Sequence, residues 1–230
     1  MKLYLPGIKA FILGRYGSLL LVLVLTIIVQ PFVGTPAGRL MLEFLFVGAM
    51  IAGLRAIGIK KGLLRFEVLL LFISIAFRYL GSITDQAMLF GIGLACGVLF
   101  LVIVALSILF DLFQTMRVTG DTLAGAVCVY LLIALIWGYL YLLVEFVQPE
   151  SFSFTQDYAR TDLWITKDFF SFLYFSLVTM TTVGYGDMTP ISRVARTLAT
   201  MEGITGQVYM TILVARLVGM HLMNQETQQK

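Results

Sequence analysis

Long apolar runs broken by short polar segments set the pattern of the chain. A helix needs about 20 mostly apolar residues to cross a hydrocarbon layer about 30 Å thick, because it rises about 1.5 Å per residue. Six stretches meet or nearly meet that length, at about 17–34, 38–57, 66–82, 86–110, 121–147 and 196–222. The third is the weakest, since Arg78 lies near its end. Between the fifth and sixth, residues 148–195 divide into a polar half, "QPESFSFTQDYARTDLWITK", and an apolar half, "DFFSFLYFSLVTM". The polar half reads as an exposed loop. The apolar half predicts a short helix over 168–180 with Asp168 as its N-cap. About a dozen residues cannot cross a bilayer, so this helix and the backbone after it, "TTVGYGDMTP", form a re-entrant loop with both ends on one side.

Composition fixes the surroundings. Of 230 residues, 60% are hydrophobic and 13% charged, with a mean hydropathy of +0.96. A soluble domain cannot hide that much apolar surface, so the fold class expected is an all-α integral membrane protein. The net charge of +3 is spread through short loops, which excludes a nucleic-acid surface. Those loops orient the chain instead. Lys2, Lys9 and Arg15 precede the first span, Arg55, Lys60, Lys61 and Arg65 separate the second from the third, and Arg117 separates the fourth from the fifth. All fall on one side, which the retention of Lys and Arg makes cytoplasmic. Both termini are then cytoplasmic, 148–195 faces outward, and the protein is multi-pass in a plasma membrane, expected to be a prokaryotic inner membrane. Segment 1–16 mixes basic and apolar residues and is expected in the interface. "GSLLLVLVLTIIVQPFV" lacks a small-residue cleavage pattern and reads as a retained helix. Cys96 and Cys128 lie in apolar runs without metal-ligand spacing and read as small buried hydrophobes. No enzyme and no organic cofactor is expected.

Backbone that is not helical exposes its carbonyls, and a row of carbonyls replaces the water around a cation. Thr182, Val183, Gly184, Tyr185 and Gly186 point their carbonyls one way only if alternate residues take unusual backbone angles, which Gly184 and Gly186 adopt without a Cβ penalty. The Thr182 hydroxyl adds one more oxygen. One such row cannot surround an ion and the chain has one copy, so the function requires a homo-oligomer.

The string "VTMTTVGYGDMTP" resembles the pore signature of voltage-gated potassium channels. "LYFSLVTMTTVGYGD" and "GQVYMTILVARLVG" resemble bacterial potassium channels of the two-helix-pore type. The resemblance spans about 120–222 and is most specific over 178–190. It implies a homotetramer in membrane lipid that binds potassium ions through the carbonyls of Thr182, Val183, Gly184 and Tyr185, with Thr182 to Gly186 as selectivity filter. Residues 168–180 become the pore helix, and the fifth and sixth spans the outer and inner helices. The domains expected are an interfacial segment 1–16, a four-helix sensor-like domain 17–112, a linker 113–120, a pore domain 121–222 and a cytoplasmic tail 223–230 with no attached ligand-binding domain.

Several positions depart from the family pattern. Many relatives carry Trp where Tyr174 stands, and here Tyr174 is the expected partner of Asp187. Val178 occupies a pore-helix position that is acidic in some bacterial channels. Gly203 stands where the inner-helix hinge usually lies, though Gly203 and Gly206 are equally read as sites of close helix approach. The fourth span lacks the regularly spaced arginines of a voltage sensor, so steep voltage gating is not expected. Its "GIGLACG" forms a small-residue face for packing, while Glu43, Glu67 and Arg78 are expected to snorkel or pair. His221 reads as interfacial, with sensing of cytoplasmic pH as the functional alternative.

On the sixth span Thr200, Ile204, Gln207, Thr211 and Ala215 share a helical face, the one stripe with uncharged polar groups along its length, and family alignment turns it toward the ion path. Glu202 lies about 200° around the helix from Ile204 and faces away. It is expected either to pack behind the filter against Ser176, Thr179 or Thr181, or to be satisfied on its own helix face by Thr205 or Tyr209. The function expected is a potassium channel. The alternatives are a subunit of a potassium-uptake transporter, against which the single repeat and intact motif argue, and a non-conducting regulatory subunit, against which the intact motif argues.

Overall fold

The structure, a computed structural model, describes residues 14–29, 48, 52–53, 61–84, 86–115, 119–154 and 164–228. The elements are α1 (Gly17–Val29), α2 (Lys61–Thr84), α3 (Ala87–Gln114), α4 (Gly120–Val147), β1 (Phe152–Phe154), α5 (Trp164–Met180), β2 (Met188–Pro190) and α6 (Arg193–Gln228). The span expected over 38–57, with Glu43, lies almost wholly outside the described residues, as does the interfacial segment before residue 14. Met88–Gln114 and Gly120–Val147 are long and apolar enough to cross a membrane, and Gly17–Val29 and Phe169–Met180 are shorter apolar helices.

Local chemistry sets the helix ends. Thr119 caps α4 by a reciprocal box: its hydroxyl accepts from the Thr122 N–H at 3.2 Å, and the Thr122 hydroxyl accepts from the Thr119 N–H at 2.7 Å. Asp121 adds a negative charge in that first turn, where the helix dipole favours it. Ser192 caps α6, accepting from the Ala195 N–H at 3.1 Å. Asp168 is not an N-cap, because α5 begins four residues earlier, at Trp164.

By internal contacts the chain divides into two units, one of residues 1–58, 104–131 and 209–230, the other of 59–103 and 132–208. In the first unit Tyr16 is the hub. Its N–H donates to Asp121 at 3.0 Å, its hydroxyl bonds Asp111, and its carbonyl accepts from the Cys128 thiol at 3.6 Å. Arg15 pairs with the same Asp111 at 2.9 Å. Arg216 donates to the Thr115 carbonyl at 3.1 Å and lies 4.7 Å over the Phe113 ring.

In the second unit α2 and α3 meet at Gly93 and Gly97 of "GIGLACG", whereas Gly91 meets Phe146 of α4. A Cβ on Gly93 would stand 2.8 Å from the Arg78 backbone nitrogen, and Ser74 donates its hydroxyl to the Gly93 carbonyl at 2.8 Å. Arg78 lies 6.0 Å over both the Phe90 and Tyr139 rings, so its charge rests on aromatic faces. Glu67 departs from expectation: it is wholly buried, and among the described residues neither carboxyl oxygen has a hydrogen bond. Around α5, Phe152 meets Tyr141, Phe172 and Phe175 edge-on at 5.4, 5.0 and 5.6 Å, the geometry that aromatic quadrupoles prefer. Phe152 lies on β1, in the segment expected to be loop, and β1 pairs antiparallel with β2 in the register Phe152↔Pro190, Ser153↔Thr189, Phe154↔Met188.

The close α2–α3 approach predicts that Gly93→Ala destabilises the protein by about 1–3 kcal/mol through overpacking against backbone. A lowered thermal midpoint of purified Gly93→Ala checks this, with Gly120→Ala, where nothing lies within 4 Å, as the spatial control.

Candidate functional site

The end of α5 sets the start of the TVGYG segment. The last ordinary helical bond there runs from the Thr181 N–H to the Leu177 carbonyl at 3.0 Å. Two bonds then close the helix, Thr182 N–H to the Thr179 carbonyl and Val183 N–H to the Val178 carbonyl, both 3.0 Å. This paired closure requires a left-handed residue just past the end, normally glycine. Here it is Thr182, with φ 59°. Gly184 follows at φ 57° and Gly186 at 78°, while Val183 and Tyr185 keep negative φ. Alternation of hand turns successive N–H groups to one side and carbonyls to the other, whereas a β-strand turns them alternately. The unusual angles expected at Gly184 and Gly186 are present, and they extend to Thr182. A β-branched residue is rare at positive φ, so only the period of two running back from the glycines signals it.

The far end is held by side chains. Tyr174, on α5, donates its hydroxyl to Asp187 Oδ2 at 2.7 Å, and Asp187 Oδ1 accepts from the Met188 N–H at 3.1 Å. The Tyr174 and Tyr185 rings stack nearly parallel, 6.5 Å between centroids. Residues 181–187 themselves are exposed, with Tyr185 71% accessible in the single chain.

Behind α5 lies a buried polar knot. Glu202 is 0% exposed, as are Ser176 and Tyr141. Tyr141, on α4, donates to Glu202 Oε2 at 2.5 Å, and Ser176 bonds Glu202 Oε1. The Ser176 hydroxyl also reaches the Ala134 carbonyl at 2.9 Å. Of the partners expected for Glu202, Ser176 is present. Thr205 turns instead to the Met201 carbonyl at 2.8 Å, and Tyr209 to the Ala126 carbonyl at 2.6 Å. Sequence reasoning missed Tyr141, although Ala134 and Tyr141 lie seven residues apart and so share one face of α4.

Helix α6 continues unbroken through Gly203, whose Cβ position meets nothing within 4 Å. Close approach belongs to Gly206, where a Cβ would lie 3.0 Å from the Met180 carbonyl. Thr200, Ile204, Gln207, Thr211 and Ala215 are each exposed on α6. The His221 side chain lies outside the described residues.

Residues 126–221, which hold all these positions, match the family model described as ion channel. That match supports an ion channel. Together with the apolar helices α3 and α4 it also supports a membrane protein. No curated protein and no solved structure matches the chain.

The two inner-helix glycines predict opposite outcomes. Gly206→Ala forces α6 away from the carbonyl that ends α5 and destabilises the protein by about 1–3 kcal/mol. Gly203→Ala, free of any such clash within the chain, stabilises the helix by up to about 1 kcal/mol. Thermal unfolding of both variants checks the pair.

Proposed function

We propose that the protein is a potassium-selective ion channel in which four copies converge on one axis, each lining it with the segment from Thr182 to Gly186. The observation that carries this reading is the alternation of φ at Thr182, Gly184 and Gly186, which supports a row of carbonyls on one side of the backbone. Four such rows offer a dehydrated cation a cage of oxygens in place of its water, and several equivalent levels let ions leave as readily as they enter. The exposure of residues 181–187 in the single chain fits a surface completed by other copies. Tyr174 and Asp187 then brace the outer end, while Gln207 and Thr211 offer polar groups on the inner helix below it.

Gating by a charged helix finds no support, since α3 contains no Lys or Arg along its 28 residues. One charge moved through the membrane field is worth about 2.3 kcal/mol per 100 mV, and steep voltage dependence needs several per subunit. The protein is accordingly a channel without intrinsic steep voltage dependence.

Purified protein in planar bilayers tests the proposal. Potassium on one side against sodium on the other is expected to give a reversal potential strongly displaced toward potassium. A reversal near zero rejects selectivity, absence of current favours a non-conducting subunit, and saturable coupled flux without channel openings favours a transporter. Gly184→Ala is expected to abolish conduction: space is open at that Cβ, but φ 57° is not. The strain is about 1–2 kcal/mol per residue, imposed in four copies at once. Water-soluble thiol reagents are expected to block a Gln207→Cys channel and to spare Tyr209→Cys, because Gln207 is exposed whereas Tyr209 is held against the Ala126 carbonyl.

A further inference from the structure

The buried knot behind α5 contains more hydrogen bonds than its hydroxyl protons can supply. A hydroxyl has one proton to give, and a backbone carbonyl only accepts. Ser176 Oγ stands 2.9 Å from the Ala134 carbonyl, so the serine proton belongs in that bond. The bond between Ser176 and Glu202 Oε1 therefore takes its proton from elsewhere. Tyr141 spends its own proton on Glu202 Oε2. With one proton to each bond, three bonds need three protons, and Ser176 and Tyr141 hold two. An ionised Glu202 would claim the serine proton and leave Ser176 Oγ and the Ala134 carbonyl in contact with nothing between them.

We infer that Glu202 is a neutral carboxylic acid that donates to Ser176 and accepts from Tyr141, clasping α4, α5 and α6 into one body behind the TVGYG segment. The surroundings agree with the count. Glu202 is wholly buried and takes part in no salt bridge among the described residues. From α4 the titratable group facing it is Tyr141, α5 presents Ser176, and no charged side chain among the described residues acts on it. A carboxylate buried without a counter-charge is strongly disfavoured, whereas a protonated acid with both oxygens bonded is an ordinary polar core group. Ser176 lies six residues before Thr182 on the helix whose end delivers the first left-handed residue. Glu202 is thus a positioning residue: it fixes α5, and α5 fixes the carbonyl row. That functional half rests on the channel reading, whereas the protonation state does not.

Glutamine separates the possibilities, because its amide N–H₂ can donate to Ser176 while its carbonyl accepts from Tyr141, as the neutral acid does. The infrared difference spectrum of purified full-length protein, parent minus Glu202→Gln at neutral pH, is expected to show the carbonyl stretch of a protonated carboxyl. Buried Glu67 is common to both proteins and cancels. Ser176→Ala is expected to shift that band, since it removes the acceptor. In bilayers Glu202→Gln is expected to keep the parent's open probability within about twofold at acidic, neutral and mildly alkaline pH, while Glu202→Ala lowers it about tenfold by leaving buried hydroxyls unpaired. A carboxylate band in place of the protonated one, or a Gln variant as impaired as the Ala variant, overturns the inference. A protonated band in a parent that passes no potassium leaves the assignment standing and rejects the channel reading. Selective current from a parent without the band rejects the assignment alone.

Discussion

A backbone that alternates its hand residue by residue cannot hold itself. Among the described residues, Gly184, Tyr185 and Gly186 make no backbone hydrogen bonds, unlike a helix or a strand, whose own ladder fixes its dihedrals. Their geometry has to be imposed from the ends. At one end the closing bonds of α5 place Thr182 in a left-handed conformation that strains a β-branched residue by an amount on the order of 1–3 kcal/mol. At the other end Asp187 is fixed by Tyr174, a residue of the same helix. Helix α5 therefore sets both ends of the segment, and anything that fixes α5 fixes the row of carbonyls.

Much of the second unit serves that helix. The edge-on rings of Tyr141, Phe152, Phe172 and Phe175 fill the space behind it, and the β1–β2 pair ties the chain before α5 to the chain after the TVGYG segment. The carboxyl of Glu202 adds direction to this apolar packing. Aromatic contacts tolerate sliding, but a bonded acid in a dry core has one satisfied arrangement, and losing either partner leaves a buried polar group unpaired. Gly206 completes the fit by letting α6 come against the carbonyl of Met180.

The helices were legible because apolar runs of this length have few other outcomes. Those expected over 86–110 and 121–147 are present as Ala87–Gln114 and Gly120–Val147. The start of α5 is hidden in the sequence because Trp164 and Ile165 sit beside polar residues, and the apolar pattern begins only at Phe169. The strand at Phe152 was hidden for a different reason: three residues are too few for alternation to register, and its partner lies 36 positions onward. In the candidate site, local chemistry was readable and tertiary chemistry was not. Glycines at 184 and 186 announce their φ, and Tyr174 lies close enough along the chain to be matched with Asp187. The face of Glu202 followed from helical geometry, but Tyr141 is 61 residues away, and nothing local says which turn of α4 would meet it. Thr182 was obscured by its own chemistry, since its type argues against the angle that its position demands.

Under the proposed function, four carbonyl rows from Thr182 to Tyr185 surround cations on the axis of the assembly. Anomalous diffraction from crystals of the assembled protein grown with thallium, which substitutes for potassium and scatters strongly, looks at that axis directly. A potassium channel of this kind is expected to show a line of thallium peaks on a fourfold axis, each between successive levels of carbonyl oxygens. An axis without thallium, or TVGYG segments turned so that their side chains rather than their carbonyls face it, would rule out that function.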